Sequence, residues 1–383
     1  MRIALLVSGI LSQQYESLTI TTTKLAEKLA EKNHEVVIIT RKKFAAPTIE
    51  RKGKITFFRI KSIPHFSVYN KLLSYPLSFR KIQKIIGPFD VIHGFSASPI
   101  LILRSILSKY LFCRKARIIH TLKSYPIKKD ITSKKGSFLL SRIGDTGYGL
   151  LNFADMITVP TNTYANKLIA KGVKKEKVKV ISSFIDLNKY FPQNKEELKA
   201  KYGYNNQKII FHYGSMWEIK GTNYLLESLP ILVQNHPNLL LILAPRNKEQ
   251  ALKKYIPLIQ KLKIEKYVKW VLTEIRVEDY VNLADAVALP YPHLEGTEGN
   301  PSCFLEALAC GTPVVSTNLP ELKEVFSECA ILIEPKNIKE LVKAVNLVLN
   351  NNNSEKIEKG LEIVSKFSID QITPKFLEIY NKS

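Results

Sequence analysis

The sequence predicts an α/β protein built from two doubly wound, Rossmann-like domains with a cleft between them. Short apolar segments typical of buried parallel strands alternate with amphipathic helical segments. The alternation stops in a polar, turn-rich segment at 184–206 and then starts again. The length of 383 residues suits two or three domains, and a composition of 45% apolar and 24% charged residues excludes a disordered or collagen-like chain.

The elements of the first half follow from their apolar spacing. The predicted strands, each a short apolar run, are Arg2–Ser8, Glu35–Thr40, Ile55–Ile60, Val91–His93, Arg117–Leu122, Met156–Val159 and Val178–Ile181. The predicted helices, with apolar residues three and four positions apart, lie near 19–32, 99–112, 141–153 and 164–170. Strands that alternate with helices form right-handed βαβ units and a parallel sheet covered on both faces.

The second half repeats this pattern. Its predicted strands are Lys208–Tyr213, Leu239–Leu243, Val268–Leu272, Ala286–Leu289 and Pro313–Ser316. Its predicted helices lie near 222–234, 248–262 and 302–309, with terminal helices up to residue 380. The predicted domains are 1–190, 191–365 and a final helix at 366–383 that returns toward the first domain. Because ligands of such sheets bind at the carboxyl ends of the strands, the cleft is the expected site.

The charge of the chain is confined to its first half. The whole chain carries 57 basic and 34 acidic residues, a net charge of +23. Residues 1–190 hold 34 of the basic and 11 of the acidic residues, whereas residues 191–383 hold 23 of each. A basic half indicates an anionic partner such as nucleic acid, an acidic membrane or a phosphorylated substrate, or else only a well-solvated surface.

Cysteine spacing and the chain's opening residues favour a cytoplasmic protein. The four cysteines contain no Cys-x-x-Cys pair and no metal-ligand spacing, which disfavours a disulfide framework or a zinc site. The opening Met1–Ser8 shows no basic-then-apolar leader pattern, and no apolar run reaches about 18 residues. We therefore expect at most a peripheral position on the cytoplasmic face of a membrane.

Two motifs of the second half carry chemistry. Glu298 lies on a Gly/Pro-bearing loop and Glu306 lies eight positions later, inside the following helix. The loop's N–H groups and the helix N-terminus form an anion cradle, and a carboxylate in the helix can accept hydrogen bonds from sugar hydroxyls. The second motif runs from Gly214 to Lys220 between a strand and a helix, where a lysine either neutralises phosphate or is solvated.

With these motifs in order, the chain resembles the retaining, nucleotide-sugar-dependent glycosyltransferases of the GT-B architecture (glycosyltransferase family four, group 1). The resemblance covers nearly the whole chain. The segments that carry it are Asp90–His93, Ala154–Pro160, Val180–Asp186, Gly214–Gly221, Ala284–Pro290 and Glu298–Pro313. It implies two facing Rossmann-like domains, the first for the acceptor and the second for the nucleotide-sugar.

The resemblance also implies roles for individual residues. The positions that match the family's donor site are Gly9, Gly214, Ser215, Lys220, Arg246, Gly299, Asn300, Pro301, Ser302 and Glu306. Among them, Lys220 would hold the diphosphate and Glu306 the ribose hydroxyls. Glu298 would position the transferred sugar. The family's active-site histidine corresponds either to His120, which alternatively is a buried structural histidine, or to Lys123.

Three departures from the family pattern concern the donor site. Ser215 stands where the family usually has arginine, which removes one phosphate contact. The usual Gly-x-Gly is replaced by Ala244-Pro245-Arg246, and Arg246 either restores the cation or is solvated. The first loop, at Gly9, lacks the usual second glycine.

The expected reaction is sugar transfer without a metal and without any cofactor other than the nucleotide-sugar donor. No Asp-x-Asp occurs in the chain, so we expect protein groups to meet the charge of the leaving diphosphate. The resemblance alone implies retention of the anomeric configuration. The basic first half should then meet the acceptor, which we expect to be a glycan or a lipid-linked molecule.

The segment His65–Ile86 suggests a membrane surface. Its aromatic and apolar residues alternate with Lys71, Arg80, Lys81 and Lys84, which suits an interfacial helix on anionic lipid, or else a helix packed on the sheet with a solvated basic edge. No nucleic-acid motif occurs, so no nucleic-acid partner is expected. Two alternatives remain: a catalytically dead polyanion-binding protein on the same scaffold, and a nucleotide-sugar epimerase.

Overall fold

The computed structural model of the protein describes residues 1–10, 17–42, 46–61, 73–96, 99–124 and 146–381. The chain divides into two units. The first comprises Met1–Ser183, Glu295–Gly299 and Ile369–Ser383, and the second comprises Phe184–Leu294 and Asn300–Ser368. Each unit contains a mainly parallel sheet with helices packed against it, so the predicted α/β class with two Rossmann-like domains is confirmed.

The first unit is built on a sheet whose described residues form eight strands. In chain order these are β1 (Arg2–Ile10), β2 (Glu35–Arg41), β3 (Ile49–Lys52), β4 (Ile55–Ile60), β5 (Val91–Ser96), β6 (Arg117–Leu122), β7 (Met156–Val159) and β8 (Val178–Val180). Their order across the sheet is β3-β4-β2-β1-β5-β6-β7-β8. All neighbours pair in parallel except β3 and β4. The order reverses between β1 and β5, which is where ligands bind in doubly wound sheets.

Helices cover this sheet with apolar residues. In chain order they are α1 (Ser17–Glu31), α2 (Ser74–Ile86), α3 (Leu103–Phe112) and α4 (Asn162–Ala170), with 3-10 turns at Pro99–Ile102 and Thr146–Phe153. Tyr75, Phe79 and Ile82 of α2 belong to one buried cluster. Tyr164 and Leu168 of α4 belong to another. Each fully buried side chain of this size contributes about 1.5–3 kcal/mol of transfer free energy.

The second unit has the strand order of a dinucleotide-binding domain. In chain order its strands are β9 (Lys208–Gly214), β10 (Leu239–Pro245), β11 (Val268–Trp270), β12 (Ala286–Leu289), β13 (Val314–Thr317) and β14 (Ile331–Ile333). In the described part of the chain they form one parallel sheet in the order β11-β10-β9-β12-β13-β14. Its switch point lies between β9 and β12, so the ends of these two strands mark the expected ligand site.

Helices connect and cover the strands of the second unit. In chain order they are α5 (Lys195–Tyr202), α6 (Thr222–Asn235), α7 (Lys248–Leu262), α8 (Val277–Leu283), α9 (Ser302–Ala309), α10 (Pro320–Phe326), α11 (Ile338–Asn350) and α12 (Ser354–Ser365). Helix α5 begins and ends with recognisable signals: the Asn194 side chain accepts from two backbone N–H groups, and Gly203 ends the helix in the left-handed conformation. This short helix lies within the polar, turn-rich segment 184–206.

The last helix, α13 (Ile369–Asn381), belongs to the first unit. The buried Tyr380 hydroxyl lies 2.6 Å from His93 Nδ1 on β5. Asp370 forms an ion pair with Lys28 of α1 at 3.0 Å. The last helix of the chain is therefore part of the unit that contains the first strand.

Three aspartates of the motifs that resemble the family have a structural role. Asp90 accepts the N–H of Arg2 at 2.7 Å, Asp155 that of Ile118 at 2.7 Å, and Asp285 that of Ile209 at 2.8 Å. Each therefore satisfies a backbone donor near the start of the neighbouring parallel strand. The resemblance at these three motifs therefore reflects how neighbouring strands begin and are held together, and not a catalytic role.

The predicted elements differ from the structure mostly at edges. The sequence did not predict β3, β14, α8 or α10. The β3 segment is mostly polar and exposed, and the others have seven residues or fewer, which is too short for clear periodicity. The helix expected near 141–153 is a 3-10 turn at Thr146–Phe153, and residues 125–145 lie outside the described part. Among the described residues no helix has the length and apolarity needed to cross a membrane.

Candidate active site

In the second unit, Lys220 is fixed at the sheet's switch point by the glycine that follows it. Gly221 has φ +71°, and a Cβ there would lie 1.9 Å from the Pro290 carbonyl oxygen, just after β12. Only glycine fits this approach. The turn before α6 therefore lies against the end of β12, and the Lys220 ammonium donates to the Tyr291 hydroxyl at 3.1 Å and lies 4.8 Å from the ring centroid.

The loop after β9 is fixed by backbone contacts. Gly214 ends the strand with φ +98°, and its carbonyl accepts the N–H of Arg246 at 2.8 Å. The N–H of Met216 donates to the Asn247 side chain at 2.8 Å. Ser215 is half-buried in this loop, and the Arg246 side chain is exposed. The predicted phosphate loop is thus joined to the loop after β10.

Helix α9 lies beside Lys220 and carries Glu306. The Tyr291 hydroxyl lies 3.3 Å from Cys303 Sγ in the first turn of α9. The Tyr213 hydroxyl at the end of β9 lies 3.2 Å from the Cys303 carbonyl oxygen and 2.7 Å from Glu306 Oε2. The first turn of α9 therefore connects the lysine to the glutamate through two tyrosines. Burial and the carboxylate raise the pKa of Tyr213 well above its ordinary value, so its phenol remains a donor at neutral pH.

Asn300, just before α9, is fully buried. Neither its side-chain nitrogen nor its oxygen has a hydrogen-bond partner within the part of the chain that the structure describes. A buried amide without partners costs about 1–3 kcal/mol, so such a group at the N-terminus of a helix is typical of a ligand contact. Pro301 and Ser302 continue from it into α9, with Pro301 at the N-cap position.

In the first unit, Lys123 follows β6 and contacts Glu298. Its ammonium donates to the Thr21 hydroxyl at 2.6 Å and lies 3.6 Å from Glu298 Oε1. The backbone N–H of Gly299 donates to the Lys123 carbonyl at 3.4 Å. Lys123 is buried and Glu298 is half-buried. The structure therefore joins two of the three predicted catalytic residues, Lys123 and Glu298.

His120 occupies a different environment. It is buried inside β6, with Nε2 2.9 Å from the Ser96 hydroxyl. A Cβ on Gly94 would lie 2.8 Å from Nδ1 and 3.0 Å from Ser105 Oγ, so the ring fills the space that this glycine leaves. Burial, with a smaller contribution from the Arg104 charge, lowers its pKa to about 3, and the ring is neutral at pH 7. This packing suits a structural histidine, while Lys123 lies at the carboxyl end of the strand.

The donor-side residues thus belong to two units. Lys220, Asn300 and Glu306 belong to the second unit, whereas Glu298 and Gly299 belong to the first. Gly9 is the second-last residue of β1 and therefore lies at the carboxyl end of that strand. The sequence did not predict Tyr213 or Tyr291, although a tyrosine beside the glycine or proline at the end of a strand is a usable signal. No group of three or more His, Cys, Asp or Glu residues placed to hold a metal occurs among the described residues.

Comparison with known proteins identifies the class. Residues 18–189 match the model of the family described as Glycosyltransferase Family 4, and residues 194–360 match that of Glycosyl transferases group 1. The chain therefore belongs to the GT-B glycosyltransferases of family 4 type. Sucrose-phosphate synthase from Thermosynechococcus elongatus has the same fold, with a TM-score of 0.81 and 19% identity over 99% of this chain and 98% of that one.

Three further proteins are similar to this chain, either over only part of its length or at low identity. An uncharacterized glycosyltransferase of Haemophilus influenzae is 32% identical over 50% of this chain, and the match spans only 52% of that protein. A processive diacylglycerol alpha-glucosyltransferase of Acholeplasma laidlawii is 27% identical over 61% of this chain and 69% of its own. Anabaena HepE, solved with UDP-glucose, shares the fold with a TM-score of 0.76 and 17% identity over 99% of this chain and 98% of that one.

Proposed function

We propose that the protein transfers a sugar from a nucleoside-diphosphate sugar to an acceptor, with the donor bound by its second unit. The observation that carries this proposal is the link through α9: Lys220 and Glu306 are both connected to Cys303 by tyrosine hydroxyls. A cation for the diphosphate and a carboxylate for the ribose are thereby fixed around α9, and the buried amide of Asn300 lies just before this helix. Family membership and the UDP-glucose complex of HepE support the same assignment.

The proposed chemistry uses fixed charges. Breaking the glycosidic bond leaves negative charge on the diphosphate, and Lys220 with the first N–H groups of α9 stabilises that charge. Glu298 is the residue that the family resemblance assigns to positioning the transferred sugar. We further propose that the reaction retains the anomeric configuration and needs no metal, because protein cations take the place of the absent Asp-x-Asp device.

We propose a lipid or lipid-linked acceptor at an anionic membrane surface. One face of α2 exposes Leu77 and Ile85, which are 50% and 59% accessible. Arg80, Lys81 and Lys84 are exposed on the same helix, so apolar side chains are flanked by cations. The basic excess of residues 1–190 and the similarity to a diacylglycerol glucosyltransferase support this acceptor class.

The donor assignment is tested with UDP-glucose and its GDP and ADP counterparts. Isothermal titration measures their affinity for the wild type and for Lys220→Ala, and transfer of radiolabelled sugar to vesicles containing diacylglycerol measures activity. We expect Lys220→Ala to lower the transfer rate by about 100-fold or more, with activity unchanged by EDTA. If none of the three donors binds, the proposed donor assignment is contradicted. If EDTA abolishes activity, the proposal that the reaction needs no metal is contradicted.

The membrane assignment is tested by co-sedimentation with vesicles of phosphatidylglycerol and phosphatidylcholine. Each basic residue near an anionic surface contributes about 1 kcal/mol, so the double variant Lys81→Ala/Lys84→Ala should bind about 10- to 30-fold more weakly. The matched control is the double variant Lys266→Ala/Lys269→Ala, which removes two exposed cations of the second unit. If both double variants bound the vesicles equally well, the proposal that α2 contacts the membrane would be contradicted.

A further inference from the structure

His212, a fully buried residue of β9, contacts two other elements of the second unit. The last residues that pair between β9 and β12 are Phe211 and Val287. One residue beyond this pair, Nδ1 of His212 lies 2.7 Å from the Ala288 carbonyl oxygen. On the other edge of the ring, Nε2 lies 2.9 Å from the hydroxyl of Thr222, the first residue of α6. The ring therefore joins the carboxyl ends of two strands to the start of a helix.

The two hydrogen bonds of His212 have fixed directions. A carbonyl oxygen only accepts, so Nδ1 carries the ring proton and donates it to Ala288. Burial lowers the pKa of His212 to about 4; the hydrogen bond to Ala288 opposes this shift, and the charge of Lys220 adds to it. The ring is therefore neutral at pH 7, and Nε2 accepts the hydrogen bond that the Thr222 hydroxyl donates.

A histidine is unusual at this place in the strand. Residues 209–211, which precede it in β9, are apolar and fully buried. Burying a polar ring costs free energy unless both of its nitrogens are hydrogen-bonded, and an apolar side chain of similar size would fill the same space without that cost. The residue type therefore matches the two contacts that the ring makes rather than the packing of the sheet.

Thr222 completes the turn that carries Lys220. The 3-10 turn Glu218–Lys220 leads through Gly221 directly into α6, so Lys220 lies two residues before Thr222. Thr222 is fully buried, so water does not replace His212 as the partner of its hydroxyl. A buried donor that loses its partner carries the full cost of its desolvation, and the contact therefore resists movement of the turn.

We infer that His212 is a positioning residue that sets the Lys220 ammonium for the diphosphate of the donor, acting through the hydroxyl of Thr222. This inference rests on the proposed function and deepens it by naming the buried contact that decides how tightly the phosphates are held. A lysine side chain is flexible, and its attraction for a phosphate falls with distance. Fixing the backbone from which this side chain starts therefore raises affinity for the phosphates, although the buried ring itself does not contact the ligand.

The experiment compares UDP, GDP and ADP with the corresponding monophosphates by isothermal titration calorimetry. The wild type should bind the preferred diphosphate about 10- to 100-fold more tightly than its monophosphate, since a hydrogen bond to a charged group is lost. Thr222→Val and His212→Phe each remove the contact and keep the size of the side chain. We expect each to lower that ratio about 3- to 10-fold, with little change in affinity for the monophosphate.

Two controls separate the hydroxyl from packing. Thr222→Ser keeps the hydroxyl and removes only a methyl group, so it should keep the wild-type ratio. Ser228→Ala removes another fully buried hydroxyl of α6, which donates to the Leu225 carbonyl at 2.7 Å, and should also keep it. Thermal melts check that each variant is folded. If His212→Phe fails that check, the two Thr222 variants still decide.

A double-mutant cycle tests whether the contact acts through the lysine. In a Lys220→Ala background, Thr222→Val should lower the ratio no further, because the side chain that the contact positions is already absent. A hydroxyl that only stabilised the fold would lower affinity by the same factor with and without the lysine.

The outcomes separate the two proposals. If the wild type binds a nucleoside diphosphate and Thr222→Val keeps the wild-type ratio, this inference is wrong and the donor assignment stands. The inference is also wrong if Thr222→Ser or Ser228→Ala lowers the ratio as much as Thr222→Val does, or if Thr222→Val acts equally without Lys220. If the wild type binds none of the three nucleoside diphosphates, the proposed function itself is overturned, and this inference with it.

Discussion

The lysines at the carboxyl ends of the two sheets have opposite environments. In the first unit Lys123 pairs with a carboxylate, Glu298, at 3.6 Å. In the second unit Lys220 contacts the neutral hydroxyl of Tyr291, and Glu306 contacts the neutral hydroxyl of Tyr213. Both units have the same doubly wound topology, but in the first unit the lysine and the glutamate form an ion pair. In the second unit the lysine and the glutamate each contact a tyrosine hydroxyl. A pair already in contact neutralises itself, whereas charges held by phenols retain their attraction for a charged ligand.

The largest expected effect concerns the glycine that places Lys220. Gly221→Ala brings a Cβ to 1.9 Å from a backbone oxygen at φ +71°, which nothing flexible can relieve. We expect a loss of more than about 4 kcal/mol in the free energy of unfolding, measured by urea denaturation. Gly214→Ala is the matched control, because φ is also positive there but no atom lies within 4 Å. It should cost only about 1–2 kcal/mol, and similar costs at both sites would contradict the tight approach.

The next effect tests the comparison of the two lysines directly. Lys123→Met leaves the Glu298 carboxylate without its ammonium in a largely buried place, and we expect a loss of about 3–5 kcal/mol in unfolding free energy. The double variant Lys123→Met/Glu298→Gln should recover much of that loss. Lys220→Met should change stability by less than about 1 kcal/mol, because its partner is neutral. Equal destabilisation by the two single variants would remove the contrast.

Acid should weaken the first unit more than the second. Burial lowers the pKa of His120 to about 3 and of His212 to about 4, and lowers that of His93 well below its ordinary value. These rings stay neutral in the folded state while the unfolded chain takes up protons below about pH 6.5, so their contribution is complete above that pH and is lost as pH falls toward the folded pKa. Between pH 7 and pH 5 each buried histidine should cost about 2 kcal/mol.

This pH effect is measured by hydrogen exchange. Of the three histidines, His93 and His120 lie in the first unit and His212 in the second, so amides of β5 and β6 should lose about twice the protection that β9 loses between pH 7 and pH 5. Protection between pH 7 and pH 8 serves as the control and should not change. Equal losses in both sheets would show that these rings do not set acid stability.

The smallest expected effect on stability concerns two buried polar groups without partners among the described residues. Asn300→Ala should change unfolding free energy by less than about 1 kcal/mol and weaken nucleotide-sugar binding by about 10-fold, because the amide is satisfied only by a ligand. Ser105→Ala, which removes a buried hydroxyl of α3 in the first unit, should change neither. Titration calorimetry with UDP-glucose measures the first effect. Unchanged affinity in Asn300→Ala would assign that amide a packing role.

The sequence predicted most of the fold because its strands and long helices have strong periodicity. Strands such as Glu35–Arg41 are buried apolar runs, and helices such as α7 bury residues four positions apart, namely Ala251, Tyr255 and Ile259. It missed the polar edge strand Ile49–Lys52 and three further short elements, β14, α8 and α10, since so few residues do not define a clear period. The sequence left the register open, because two positions near the end of one strand, His120 and Lys123, are both compatible with the family's histidine position.

By itself the sequence determined the two-domain α/β class, the order of motifs along the chain and the confinement of the +23 charge to residues 1–190. These are local or additive properties, set by residue type and spacing. Only the tertiary structure decided that Lys123 meets Glu298, that His120 is packed against Gly94, and that the Tyr213 hydroxyl donates to Glu306. Such contacts join residues tens to hundreds of positions apart. They depend on which strands pair and where each strand ends, and no local pattern specifies either.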